Sequence, residues 1–164
     1  MNALILCAGS ARRFFPDSAA GARQPKCLLR LSDHETILSR LLRQVNAYGY
    51  SPVPGTGCGH ELVQKHAREN APDALCVLNP DYATTNSIVT LLRLREWVRD
   101  DTLLINGDVV VADDTFAHFD TTTTSPQLLV KHLPVFDDDS YRVVFDEAHR
   151  VLEMGKDIGR IRRT

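Results

Sequence analysis

Short apolar runs alternate along this chain with stretches of helical spacing. Ala3-Leu4-Ile5-Leu6-Cys7 is a continuous apolar run, the pattern of a strand covered on both faces. Ile37, Leu38, Leu41, Leu42 and Val45 recur at three- and four-residue intervals and predict an amphipathic helix that stops near Gly49. Ser32-Asp33-His34-Glu35 ahead of it has the Ser-x-x-Glu form of a capping box. Residues 61–70 then read as a helix, 74–78 as a strand and 86–99 as a strongly apolar helix. Thr102–Asn106 is a second buried strand, 113–119 a short helix, 127–132 a strand, and 141–145 with 151–154 a hairpin.

This alternation predicts an α/β fold, a Rossmann-like, mostly parallel sheet flanked by helices. Ligands of such sheets sit at the carboxyl ends of the strands, and the chain has chemistry to offer at two of them. One segment disagrees with the pattern. Where the second strand belongs stands Ser51-Pro52-Val53-Pro54-Gly55-Thr56-Gly57. Proline cannot donate to a ladder, so this stretch is expected at a sheet edge or as a local defect, not as a central strand.

A chain of 164 residues is expected to be one domain, 1–164. Its formal net charge of −2 gives no electrostatic reason to expect nucleic acid or an anionic membrane as partner. No apolar run has the length of a bilayer span, and the N-terminal run is short for a secretory signal and has no basic segment before it. The expected location is the cytoplasm. Cys7, Cys27, Cys58 and Cys76 show no Cys-x-x-Cys spacing and read as reduced core residues. Of 19 basic residues 15 are Arg and 4 are Lys, which makes each lysine a position to inspect. Lys26, Lys131 and Lys156 fall in or beside candidate site segments, and Lys65 on a helix surface.

The first strand runs straight into Ala8-Gly9-Ser10-Ala11-Arg12-Arg13, and Pro25-Lys26-Cys27-Leu28-Leu29 follows a polar loop. Small side chains at a strand end let backbone N–H groups approach phosphates, and cations offset their charge. Leu103-Leu104-Ile105-Asn106-Gly107-Asp108 ends a strand in a carboxylate, a group suited to Mg²⁺ when substrate phosphates supply the other ligands. The other reading of Asp108 is a cap on a strand-to-helix turn. Thr85-Asn86-Ser87 at a helix start offers amide, hydroxyl and backbone N–H groups for a pyrimidine edge or a ribose; equally, Thr85 or Asn86 is a plain N-cap. No Gly-x-x-x-x-Gly-Lys-Ser/Thr is present for a P-loop kinase, nor a Gly-x-Gly-x-x-Gly for a dinucleotide oxidoreductase.

Together these motifs resemble the nucleotidyltransferases that activate sugar phosphates and phosphocholine: a strand, Leu-x-Ala-Gly-x-Gly-x-Arg, then Pro-Lys-x-Leu. Ala11 stands where the family has its second glycine, and Arg12 where it has a small Ser or Thr. Asn79-Pro80-Asp81-Tyr82-Ala83-Thr84-Thr85-Asn86-Ser87-Ile88, followed by the Asn106-Gly107-Asp108 strand end and by Gly155-Lys156-Asp157-Ile158, is similar to the phosphocholine cytidylyltransferase-like branch. The resemblance implies that Leu6, Ala8, Gly9, Ser10 and Ala11 line the triphosphate, with Arg13 and Lys26 against its charge. It implies Asn86 and Ser87 near the base, Gly107 beside the nucleotide, Asp108 on Mg²⁺, and Lys156 and Lys131 on the acceptor.

The implied reaction is in-line attack by an acceptor phosphate oxygen on the α-phosphorus of a nucleoside triphosphate, CTP favoured, with release of pyrophosphate. The implied acceptor is phosphocholine or a similar small phosphorylated alcohol; a sugar 1-phosphate is the lesser alternative. The family continues past the Gly-Lys-Asp-Ile segment with strands and a second metal-binding Asp, so the chain reads as truncated and the fold as incomplete at that end. Asp137, Asp138 and Asp139 read as a solvated acidic face. A catalytically impaired nucleotide-binding remnant, a non-catalytic partner and a homo-oligomer that completes the site therefore stay open.

Overall fold

In a computed structural model that describes residues 1–9, 24–135 and 140–158, the chain organises around strand β1, Asn2–Cys7. Ala3 and Ile5 are fully buried and Leu4 nearly so. Successive side chains of a strand point to opposite faces, so a run with no polar break needs cover on both. It has it. On one face Ala3, Ile5 and Cys7 join Leu38, Leu41, Leu42 and Val45 of helix α1 (Ile37–Ala47) and Val63 and Ala67 of helix α2 (His60–Asn70). On the other, Leu4 packs with Val53 and Leu94, next to helix α3, Ser87–Arg93.

Strands β2 (Ser51–Thr56), β3 (Val77–Leu78) and β4 (Thr102–Asn106) complete a four-stranded sheet ordered β3-β2-β1-β4, in which every pairing is parallel. The expected mostly parallel sheet with helices on both faces is what the chain builds.

The proline-bearing segment corrects the sequence expectation: β2 is an inner strand, paired with β1 from Asn2↔Ser51 to Cys7↔Thr56. Parity explains it. N–H and C=O groups of one strand residue face the same neighbour, and alternate residues face opposite neighbours. Ser51 donates its N–H to Met1 O (2.8 Å), so odd-numbered residues face β1. Pro52 O accepts from Leu75 N (3.3 Å) on the other side, and Pro54 shares its parity. Both missing donors thus face β3, which pairs only with Gly55 and Thr56.

Other elements shift for local reasons. Helix α1 is capped by Thr36 and Ser39, not by Ser32 and Glu35. Ser39 N donates to Thr36 Oγ1 (3.1 Å) and Thr36 N to Ser39 Oγ (2.8 Å). Residues 31–35 instead close a tight turn, with Leu31 N on Glu35 O (2.8 Å), and the Glu35 carboxylate accepts from Arg40 and Arg43. The strand expected over 74–78 pairs only at Val77–Leu78. The helix expected to run to 99 stops at Arg93; Leu94, fully buried, turns the chain into a 3₁₀ turn, Arg95–Trp97. The short helix expected over 113–119 is a 3₁₀ turn, Thr115–His118. Residues 127–132 form no strand: Leu128, Leu129 and Val130 are half exposed, and an apolar run becomes a strand only where a neighbour supplies a ladder and a covered face.

By their contacts the residues fall into two compact units, Met1–Thr122 and Thr123–Thr164. The second holds the expected hairpin, β5 (Arg142–Phe145) antiparallel to β6 (Val151–Gly155), with its turn fixed by Asp146, whose Oδ1 accepts from Ala148 N and Arg150 N. No helix among the described residues is long and apolar enough to cross a membrane.

The parity argument has a direct check. Val53→Pro places a missing donor on the β1 side and is expected to cost at least about 3 kcal/mol in urea denaturation, through a lost ladder bond and an orphaned buried acceptor. Pro54→Val adds an N–H on the β3 side and breaks no ladder bond, so its cost is confined to that one new donor, about 1–3 kcal/mol at most. Equal costs for the two variants would refute the assignment of faces.

Candidate functional site

Two parallel neighbours end side by side at the carboxyl edge of the sheet. Strand β1 leads into Ala8 and Gly9, and β4 into Gly107 and Asp108, with Leu6 in register with Asn106. The approach past that register is close: Gly107 N donates to Leu6 O (3.0 Å), and a Cβ on Gly107 would lie 2.6 Å from Cys7 Sγ and 2.7 Å from Leu6 O. On the side where a Cβ would stand, the space at Gly107 is filled by β1 itself. The glycine acts one step earlier, by letting Asp108 emerge next to the β1 loop.

Lys26 reaches the same place from a 3₁₀ turn, Lys26–Leu28, closed by Leu28 N on Pro25 O (2.9 Å) and Leu29 N on Lys26 O (3.0 Å). The turn is seated by Pro25 on Gly59, which takes φ +63° at the start of α2; a Cβ there would lie 2.7 Å from Pro25 Cγ. This position needs glycine both for its left-handed backbone and for space. Lys26 Nζ then donates to Asp108 Oδ2 at 3.2 Å, across 82 residues of sequence, with the two side chains 29% and 48% exposed.

The third wall comes from residues 79–90. Asn79 is fully buried. Its Nδ2 donates to Thr85 Oγ1 (3.2 Å) and Thr90 Oγ1 (3.0 Å), and its Oδ1 accepts from Asp81 N (3.1 Å). Its backbone N–H donates to Thr56 O (2.8 Å), so one side chain and its own amide tie the end of β2, the turn and α3 together. Asn86 caps α3, its Oδ1 accepting from Ile88 N (3.0 Å), so the plain-cap reading holds for that oxygen. The Tyr82 side chain packs over Gly57, where a Cβ would come within 2.5 Å of it.

These walls enclose a cleft of about 390 Å³. Of the residues singled out in the sequence, Leu6, Ala8, Gly9, Lys26, Asn86, Ser87, Gly107 and Asp108 line it together. Ser10, Ala11, Arg13 and the acidic run at 137–139 lie outside the described residues. Lys131 and Lys156 belong to the second unit, each exposed. Asn79, Tyr82 and Thr90 also line the cleft and had been given no role. The signal for Asn79 was present: a lone carboxamide directly after a strand and before proline, followed by a run of hydroxyl side chains.

Beneath the cleft the Cys7 thiol hydrogen-bonds with Cys27, and this bond together with burial pushes its pKa well above the ordinary thiol range. Burial pushes Cys76 up to about 11. Both shifts favour the protonated thiol of Cys7 and Cys76 over a nucleophilic thiolate.

The comparisons agree with this fold. CTP:phosphocholine cytidylyltransferase from Streptococcus pneumoniae superposes with a TM-score of 0.68 over 93% of this chain and 63% of its own, at 17% identity. The inositol-1-phosphate CTP transferase from T. maritima gives 0.69 over 96% of this chain and 64% of its own, at 17% identity. The chain has the nucleotidyltransferase fold. A nucleotidyl transferase from Methanothermobacter thermautotroptrophicus shares that nucleotidyltransferase fold with a TM-score of 0.56 at 24% identity, over 70% of this chain and 53% of its own. Among curated proteins, Bifunctional protein GlmU of Methanococcus maripaludis is 24% identical over 113 residues, 69% of this chain and 26% of that protein. No family model matches the chain. It thus spans about a quarter of the curated relative and under two thirds of each of these structures.

Asn79→Leu removes the clamp while keeping bulk, and leaves the buried Thr90 hydroxyl without its donor. The expected loss is about 1–3 kcal/mol in thermal or urea unfolding. A change below about 0.5 kcal/mol would mean that the network does not hold this wall.

Proposed function

We propose that the chain carries the nucleotide site of a cytidylyltransferase-type nucleotidyltransferase. The reaction is transfer of CMP from CTP to phosphocholine or a similar small phosphorylated alcohol, in the cytoplasm, with release of pyrophosphate. The observation that carries this reading is the convergence of Ala8 and Gly9, Lys26, Asn86 and Ser87, and Asp108 on one cleft at the carboxyl ends of β1 and β4. The two structures that overlay more than nine tenths of the chain both carry CTP and a phosphorylated small molecule in their names, and this supports CTP over other nucleotides.

In this reading the small residues Ala8 and Gly9 leave room for phosphates beside the end of β1, and Lys26 neutralises phosphate charge. Asn86 and Ser87 meet the base or ribose at the opposite wall. The acceptor's phosphate oxygen attacks the α-phosphorus in line and pyrophosphate leaves, so no covalent enzyme intermediate forms. The sequence resemblance alone assigns Lys156 and Lys131 to the acceptor.

The donor set fits Mg²⁺. Asp108 stands half exposed in the cleft, and among the described residues no group of three or more His, Cys, Asp or Glu forms a closed protein cage. A cation that keeps one carboxylate and takes its other ligands from phosphates and water suits that arrangement. Held by Asp108, Mg²⁺ would supply charge stabilisation at the reacting phosphates.

The test is pyrophosphate release from CTP and Mg²⁺ with and without phosphocholine, with the other nucleotides as controls. Acceptor-dependent release with CTP is expected, falling on the order of 100- to 1,000-fold in Asp108→Ala. CTP binding without release would confine the chain to nucleotide binding. Failure of folded protein to bind any nucleoside triphosphate would overturn the proposal.

A further inference from the structure

The ion pair in the cleft joins the two groups that the proposed reaction uses separately. Lys26 is the cation assigned to phosphate, and Asp108 the carboxylate assigned to the metal, yet Nζ and Oδ2 stand 3.2 Å apart. Both side chains start from fixed backbone. Lys26 starts from a closed 3₁₀ turn seated on Gly59, and Asp108 from a strand end fixed by Gly107 on Leu6. Without nucleotide, a divalent cation that approaches Asp108 meets an ammonium already on the carboxylate.

We infer that Lys26 is a latch on Asp108: it closes the carboxylate to divalent cations until a nucleoside triphosphate draws the ammonium onto its phosphates. The inference rests on the proposed nucleotide site and adds its order of assembly. A triphosphate carries several negative charges and outcompetes one carboxylate for the ammonium, so nucleotide and metal bind with positive coupling. Removal of the ammonium leaves Asp108 open, and the free protein then takes up metal without nucleotide. Coupling makes a second prediction: metal should raise nucleotide affinity more in the wild-type protein than in a variant that lacks the latch, because only the former has the pair to exchange.

The test needs no turnover. Mn²⁺, a carboxylate-binding probe visible by EPR, is titrated into nucleotide-free full chain for wild type, Lys26→Met, Asp108→Asn and the double variant, each checked for folding by circular dichroism. Lys26→Met is expected to bind Mn²⁺ on the order of 5-fold more tightly than wild type, and the gain should vanish in the double variant. Lys26→Gln, which keeps a polar head without charge, should behave as Lys26→Met and guards against a packing artefact. Equal Mn²⁺ affinity in wild type and both Lys26 variants overturns the latch, as does a gain that survives Asp108→Asn. A separate titration of wild type with CTP distinguishes the failures. No CTP binding refutes the nucleotide site whatever the Mn²⁺ result, whereas CTP binding with unchanged Mn²⁺ affinities refutes only the latch.

Discussion

The parallel register of β1 and β4 is the constraint on which the cleft depends. It sets Leu6 opposite Asn106 and brings the residue that follows β4, Gly107, against the Leu6 carbonyl at 3.0 Å. Any side chain at 107 would collide with Cys7 or the β1 backbone. Move that contact apart and Asp108 no longer emerges beside Ala8 and Gly9. The register in turn rests on burial of β1 on both faces, since a one-residue slip would turn Ile5 and Leu4 to the wrong layers.

Around this fixed edge the other walls are held by different physics. The 79–90 wall is pinned by a satisfied polar network: each donor and acceptor of the Asn79 carboxamide has a partner, so Asn79 rigidifies the turn and itself has little left to offer a ligand. The Lys26 wall is held by its backbone turn and leaves its charged head in partial contact with water. The cleft therefore has one wall pinned by an internally complete clamp at Asn79 and one whose charges are open to exchange.

Much of this was legible in the sequence. The unbroken apolar runs made β1 and β4 readable as strands, though only β1 is covered on both faces. Strand β4 lies at the edge of the four-stranded sheet and leaves Leu104 half exposed, so the expectation of a second buried strand holds for Leu103 and Ile105 alone. Spacing located α1, α2 and the β5–β6 hairpin. Strand ends in a parallel sheet share an edge, which is why Gly9 and Asp108 could be expected together. The failures have physical causes. Proline excludes a strand only where its missing N–H faces a ladder, and sequence does not reveal which neighbour Pro52 and Pro54 face. Ser32-x-x-Glu35 and Thr36-x-x-Ser39 compete for one helix start, and the 31–35 turn, a tertiary outcome, decides it. Asn79 went unassigned because its role lies in hydroxyls up to eleven residues away that only the folded turn brings within reach.

The partial exposure of the Lys26–Asp108 pair bears on how such a site can work at all. Exposed ion pairs contribute about 0.2–1 kcal/mol, whereas breaking a fully buried pair costs about 3–5 kcal/mol because one charge is stranded in low dielectric. At 29% and 48% exposure the pair is nearer the first limit, so it holds both side chains in place without making their release prohibitive. A buried pair would be a structural clamp, and the chain would need another cation and another carboxylate for ligand. Two groups preorganised by rigid backbone, and linked by a bond weak enough to exchange, can serve the empty site and the filled one alike.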